Sequence, residues 1–257
     1  SPYNQSTLPI IDWLFIDLNT IVYKCTQESS IFKGVMKAKK LEDICIQIFN
    51  CVNEIAQLVG PQKILFLSLD GVPPKAKMNI ERGRRLKMAE KHQKTIDDLC
   101  NLQLLKKEDC FNPDLISPGT EFMDEINNQV KFLIQTKMKE DERWRKLSVI
   151  FSGVNVPGDN ESKILEFIRK KTQEPNFNPN TTICISGTNL NWIPLALSLH
   201  LPFVCIFREQ YYLKPPNFLQ TKTCQPKTFY DFLWINVLRD YFEAEFSHLK
   251  EKLEEKY

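Results

Sequence analysis

The chain has 257 residues, of which 42% are hydrophobic and 26% charged, enough to bury a full core without metal or disulfide staples. Its formal net charge is +2, so a surface for polyanions has to come from local clustering rather than from an overall basic balance. Its 8 glycines form neither GxxxxGK nor GxGxxG, which excludes the phosphate loops that those strings build.

The first of five short apolar runs is IDWLFIDL (11–18), which carries Asp17 near its end. Leu41, Ile44, Cys45, Ile48, Phe49, Val52, Ile55 and Ala56 then keep i, i+3, i+4 spacing, the mark of a helix with one buried face. KILFLSLDG (63–71) is the second run and leads into Asp70-Gly71. Next comes KAKMNIERGRRLKMAEKHQK (75–94), with eight Lys and Arg against only Glu81 and Glu90. It predicts a long basic helix around 75–105, on which Lys77, Arg84 and Arg85 can share a face. Phe122, Ile126, Val130 and Leu133 predict another helix, LSVIFSG (147–153) a third strand, and Ile164, Leu165 and Ile168 a further helix. TICISG (182–187) and FVCIFRE (203–209) complete the five runs, and a charged tail from Ser247 to Tyr257 is helical or frayed.

Runs of this kind suit strands buried on both faces. Alternation with helices predicts one α/β domain over 1–257, with a mainly parallel central sheet flanked by helices. In such sheets, sites form outside the carboxyl ends of the strands. Asp17, Asp70, Asp159 with Glu161, and the loop of Asn189 and Asn191 all fall there. Clustered carboxylates repel one another unless a cation neutralises them, and oxygen ligands suit Mg²⁺ or Mn²⁺. A cationic helix directly after Asp70 adds a wall suited to phosphates, which together point to a polyanionic substrate.

The cysteines at 25, 45, 51, 100, 110, 184, 205 and 224 include no CxxC pair, and several lie on apolar faces. They predict thiols rather than disulfides, and a reducing compartment. His92, His200 and His248 lie far from any paired cysteines, which argues against zinc. No apolar run approaches the ~20 residues of a membrane span, and no signal peptide opens the chain. The expectation is an intracellular protein, cytoplasmic or nuclear, without membrane contact.

Five strings, LFIDLN (14–19), SLDGVPPKAKMNIERGRR (68–85), SPGTEFM (117–123), VIFSGVNVPGDNESKI (149–164) and FLWINVLRDYFEAEF (232–246), resemble in order and spacing the N-terminal region of the XRN family of 5′→3′ exoribonucleases. The resemblance covers nearly the whole chain and implies a FEN-like, PIN-like fold. It implies that Asp17 and Asp70 match acidic metal-site residues, and that the family's PGEGEHK motif is here Pro157-Gly158-Asp159-Asn160-Glu161-Ser162-Lys163. Glu161 then keeps a ligand, Asp159 replaces a glutamate, and the aspartates of the GLDADL loop become Asn189 and Asn191. For the 5′-phosphate pocket, Lys77, Arg84 and Arg85 match, whereas Glu81 stands in place of a glutamine. Tyr23 stands in place of a histidine near the first base, where it can still stack. A further metal-site aspartate beyond the VLREY-type helix has no counterpart before Tyr257.

The family's phosphodiester hydrolysis uses two cations, and amides contribute dipoles where aspartates contribute charge. The resemblance with its losses implies no required cofactor, or at most one weakly held Mg²⁺ or Mn²⁺ on Asp17, Asp70 and Glu161. The departures at Tyr23, Glu81, Asp159 and Ser162 spread over the chain, which fits natural loss better than two engineered changes. The expectation is a pseudonuclease serving as a binder of single-stranded RNA or as a scaffold for a protein partner in an RNA-related complex. The alternative is an active or weakly active Mg²⁺-dependent 5′→3′ exoribonuclease on 5′-monophosphorylated single-stranded RNA.

Overall fold

The five apolar runs become five adjacent parallel strands. The computed structural model describes residues 9–27, 30–32, 35–36, 40–102, 110–210 and 229–248. Strand β1 (Trp13–Asp17) passes directly into helix α1 (Leu18–Gln27), followed by a small antiparallel pair, β2 (Ser30–Phe32) and β3 (Val35–Met36). Helix α2 (Leu41–Val59), β4 (Ile64–Ser68) and α3 (Lys75–Asn101) come next, then α4 (Glu121–Glu140), α5 (Glu142–Arg145) and β5 (Ser148–Ser152). The remainder is α6 (Asn160–Thr172), β6 (Ile183–Ser186), α7 (Trp192–Leu197), β7 (Val204–Gln210), β8 (Phe229–Trp234) and α8 (Ile235–Glu245).

The main sheet has the order β5-β4-β1-β6-β7-β8. All its pairings are parallel except β7 with β8. Because successive side chains of a strand point to opposite faces, each strand feeds two cores. Leu14, Ile16, Leu65, Leu67, Cys184 and Cys205 meet the buried stripes of α1, α2 and α4 on one face. Trp13, Phe15, Ile64, Phe66, Ile183, Ile185, Val204 and Ile206 meet Ile164, Ile168, Trp192, Ala196 and Ile235 on the other. Burial on both faces is why these strands read as continuous apolar runs rather than as alternating ones.

Chain direction across the sheet reverses at β1. From there the chain moves to β4 and β5 on one side, then to β6 and β7 on the other. The crevice at such a switch point is where α/β sheets bind ligands, and it lies between the ends of β1 and β6.

Several elements go beyond the sequence expectation. Strand β8 was not foreseen: residues 232–246 enter the sequence reading only through the family resemblance, with a helix around Val237–Tyr241. Its Tyr230, Phe232 and Trp234 alternate onto the α2 face of the sheet, and Tyr230 stacks on Phe207 at a ring separation of 4.9 Å. Six residues at a sheet edge give a short, weak period-2 signal. The β2–β3 pair is shorter still. The basic helix is α3, which ends at Asn101 and buries only Ile96; residues 103–105 of the expected span lie outside the described residues. So do Cys224 and residues 249–257 of the tail. Among the described residues the other seven cysteines form no disulfide with one another. Among the described residues no helix is long and apolar enough to cross a membrane.

Candidate active-site floor and nucleic-acid wall

Asp17 is the last residue of β1, and Asp70 follows β4 by two residues. Since β1 and β4 are parallel, with Asp17 level with Ser68, both carboxylates emerge at the same sheet edge. The Asp70 loop is stitched to the loop before α6: the Gly71 amide donates to Gly158 O and the Gly158 amide to Val72 O, each at 2.9 Å. Gly71 has no room for a side chain, since a Cβ there would lie 1.9 Å from Val156 O. Gly158 adopts a φ of 104°, which glycine tolerates and other residues rarely do. Beneath both loops the buried ammonium of Lys163 donates to Leu69 O and Gly153 O at 2.8 Å each. Burial depresses its pKa to about 8, against the raising effect of Asp70 and Asp159.

Asp159 caps α6, accepting the Ser162 amide at 2.8 Å, as short polar side chains do at helix starts. Its other oxygen takes Lys77 Nζ at 2.5 Å, and Lys77 also lies 3.6 Å from Glu161. Burial opposes ionisation of Asp159, but the bonds from Lys77 and Ser162 outweigh it and hold its carboxyl below the ordinary value. Glu161 Oε1 accepts the carboxamides of Asn189 at 2.6 Å and Asn191 at 3.3 Å. Aspartates at 189 and 191 would instead face Glu161 with like charge. Asn189 Oδ1 also takes the Asn191 amide, a local turn that shapes the loop before α7.

Asp17 and Asp70 are joined through two asparagines. Asn160 donates its side-chain amide to Asp17 Oδ1 at 2.6 Å and its backbone amide to Asp70 Oδ1 at 2.8 Å. Asn19 and Asp70 exchange two bonds of 2.9 Å, side-chain amide to carboxylate and backbone amide to carboxamide oxygen. Thr20 Oγ1 donates to Asp17 Oδ2 at 3.1 Å. Burial raises the pKa of Asp17 despite these donors. It raises that of Asp70 to about 6, opposed by the Asn160 amide and helped by the charges of Asp17 and Asp159.

The carboxylates and asparagines of this network line one open cavity of about 1150 Å³. Asp17, Asp70, Asp159, Glu161, Asn189 and Asn191 form its floor, with Tyr23 of α1 at the side. Lys77, Glu81, Arg84 and Arg85 of α3 form a wall. On that wall Glu81 is paired with its neighbours, 3.0 Å from Arg84 and 3.9 Å from Arg85. Sequence reading missed Asn19, Asn160 and Lys163 as parts of the site. A signal was present for Asn160, which stands where the motif it resembles carries a glycine.

A mainly parallel sheet with acidic groups gathered at its carboxyl edge beside a cationic helix defines the class of PIN-like nuclease folds. Within that class, the chain belongs to the XRN 5′-3′ exonuclease N-terminal family, which matches residues 2–210. It is 34% identical over 97% of its length to 5′-3′ exoribonuclease 1 of Saccharomyces cerevisiae, covering 16% of that protein. It is 32% identical over 98% of its length to the human 5′-3′ exoribonuclease 1, covering 15%. To 5′-3′ exoribonuclease 2 of Gallus gallus it is 34% identical over 80% of its length, covering 22%. The chain thus spans roughly a seventh to a fifth of the length of these relatives.

The floor's carboxylates are engaged within the protein. All four carboxylate oxygens of Asp17 and Asp70 accept hydrogen bonds from the protein, and the Glu161 oxygen nearest the loop faces two amide donors. Among the described residues no three of His, Cys, Asp and Glu form a group that could hold a metal ion.

Proposed function

We propose that this chain is a non-cleaving XRN-type domain that captures the 5′ end of single-stranded RNA and presents it within an RNA-related complex. The observation that carries this reading is the contrast within the cavity: a floor whose anions are met by amides and Lys77, beside a wall with arginines open to solvent. Hydrolysis needs cations to activate water and stabilise the leaving oxygen, and this floor offers amides where such ions need charge. Capture needs only cationic donors for phosphate and a face for stacking. Lys77, Arg84 and Arg85 supply the first, and Tyr23 supplies the second.

The alternative is residual Mg²⁺-dependent 5′→3′ hydrolysis, favoured by Asp17, Asp70 and Glu161 lining the same cavity as the basic wall. Incubation with 5′-monophosphorylated single-stranded RNA and Mg²⁺ or Mn²⁺ separates the two. The expected result is saturable, salt-sensitive binding with no nucleotide release above a protein-free blank. Multiple turnovers by the wild type would reject the non-cleaving reading. The Asn189→Asp/Asn191→Asp variant tests whether restored charge alone revives cleavage; it is expected not to, because Asn160 still occupies the Asp17 and Asp70 oxygens.

A further inference from the structure

We propose that Asn160 is a built-in replacement for a bound cation, so that this end of the sheet keeps its shape without divalent metal. The inference rests on the non-cleaving reading for the purpose of the cavity but makes a separate claim about what holds it together. Two carboxylates leave neighbouring strands at the same edge and need positive charge or donors between them. A divalent cation meets that need with several free oxygens at about 2.0–2.6 Å. Here Asn160, only 3% exposed, meets it with directed N–H groups. Its Nδ2 lies 2.6 Å from Asp17 Oδ1 and 3.4 Å from Asn19 Oδ1, while its backbone N lies 2.8 Å from Asp70 Oδ1. Its Oδ1 is buried and has no hydrogen-bond partner among the described residues, so the donor end is what the site uses. A buried amide with one end unsatisfied is unfavourable by itself, and the acceptor it meets on Asp17 offsets that.

The remaining oxygens of the pair are closed by Thr20 and Asn19. The position itself is fixed because Asn160 opens α6 directly after the Asp159 cap. A glycine there, as in the motif the segment resembles, has no side chain to place between the carboxylates. One residue therefore converts a metal-shaped gap into a protein-filled one.

Thermal unfolding of the chain without RNA, in EDTA and in millimolar MnCl₂, tests this directly. A ligand that binds only the folded state raises Tm. The wild type should therefore shift by less than about 1 °C, since a 1 °C change is well under 1 kcal/mol for a chain of this size. Asn160→Asp keeps the shape but adds a third carboxylate, so it should melt lower in EDTA and gain at least about 4 °C with Mn²⁺. Should that variant fail to fold in either buffer, Asn160→Gly decides: a Mn²⁺-dependent gain supports the inference, and its absence overturns it. A wild-type gain of several degrees that Asp17→Asn abolishes also overturns it. That result without RNA cleavage leaves the non-cleaving reading standing, whereas cleavage by a wild type whose Tm ignores Mn²⁺ sinks the reading alone.

Discussion

Floor and wall of the cavity differ in how their charges are held. On the floor, Asn160 is 3% exposed and every oxygen of Asp17 and Asp70 is engaged. On the wall, Arg84 and Arg85 expose 62% and 42% of their side chains, and their partner Glu81 is a neighbour on the same helix. Buried carboxylates with every oxygen paired, such as Asp17 and Asp70, are part of the fold, because unpairing one leaves an uncompensated polar atom out of reach of water. Exposed ion pairs within one helix contribute little to stability and can exchange partners with a ligand at small cost. Mutations on the floor should therefore change folding, and mutations on the wall should change binding.

The largest expected effect is just beneath the floor. Lys163→Ala removes two buried bonds to carbonyls at the ends of β4 and β5 and should destabilise by about 3–5 kcal/mol in urea unfolding. A loss under about 1 kcal/mol would mean that the loops are held by other contacts. Next is a pH effect at Asp70. Burial pushes its pKa in the fold up to about 6, above the ordinary 3.8, so the folded state binds the proton more tightly and this group's contribution falls as pH rises from about 4 to 6. Across that interval the stability of Asp70→Asn relative to wild type should move in the variant's favour by at most about 3 kcal/mol. A difference that stays flat between pH 4 and pH 7 would show that Asp70 ionises normally.

On the wall, Arg84→Ala/Arg85→Ala should lower affinity for 5′-phosphorylated single-stranded RNA by more than about tenfold and flatten its salt dependence. Its Tm should stay close to wild type, since surface substitutions away from buried features usually change stability by no more than about 0.5 kcal/mol. Undiminished RNA binding would move the interaction elsewhere and favour protein docking as the role of this domain. The smallest effect is expected from Glu81→Gln, which removes a negative charge from the phosphate wall. It should raise affinity for a 5′-monophosphate over a 5′-hydroxyl end by about 1 kcal/mol, read by fluorescence anisotropy with paired oligonucleotides. Equal affinity for both ends in this variant would separate the wall from end recognition.

The sequence alone pointed to the five parallel strands. Strands β1, β4, β6 and the first half of β7 are buried on both faces and so read as apolar runs. Strand β5 kept an apolar run although it is only partly buried at the sheet edge. It also determined α2, through Ile44, Ile48, Val52 and Ile55, and the family, through strings such as DGVPPKAKMNIERGRR. That Asn189 and Asn191 depart from the motif the loop resembles was legible because that motif is local. Only the tertiary structure decided where those side chains go: Asn189 and Asn191 turn their amides to Glu161, 28 and 30 residues away. Asn160 bridges Asp17 and Asp70 over separations of 143 and 90 residues, and Lys163 reaches back 94 residues to Leu69. Periodicity reports which face of an element is buried, but not which buried polar groups meet when strands from distant parts of the chain are laid side by side. Donor and acceptor pairing depends on register and loop closure to within a few tenths of an ångström, and those are set only when the sheet assembles.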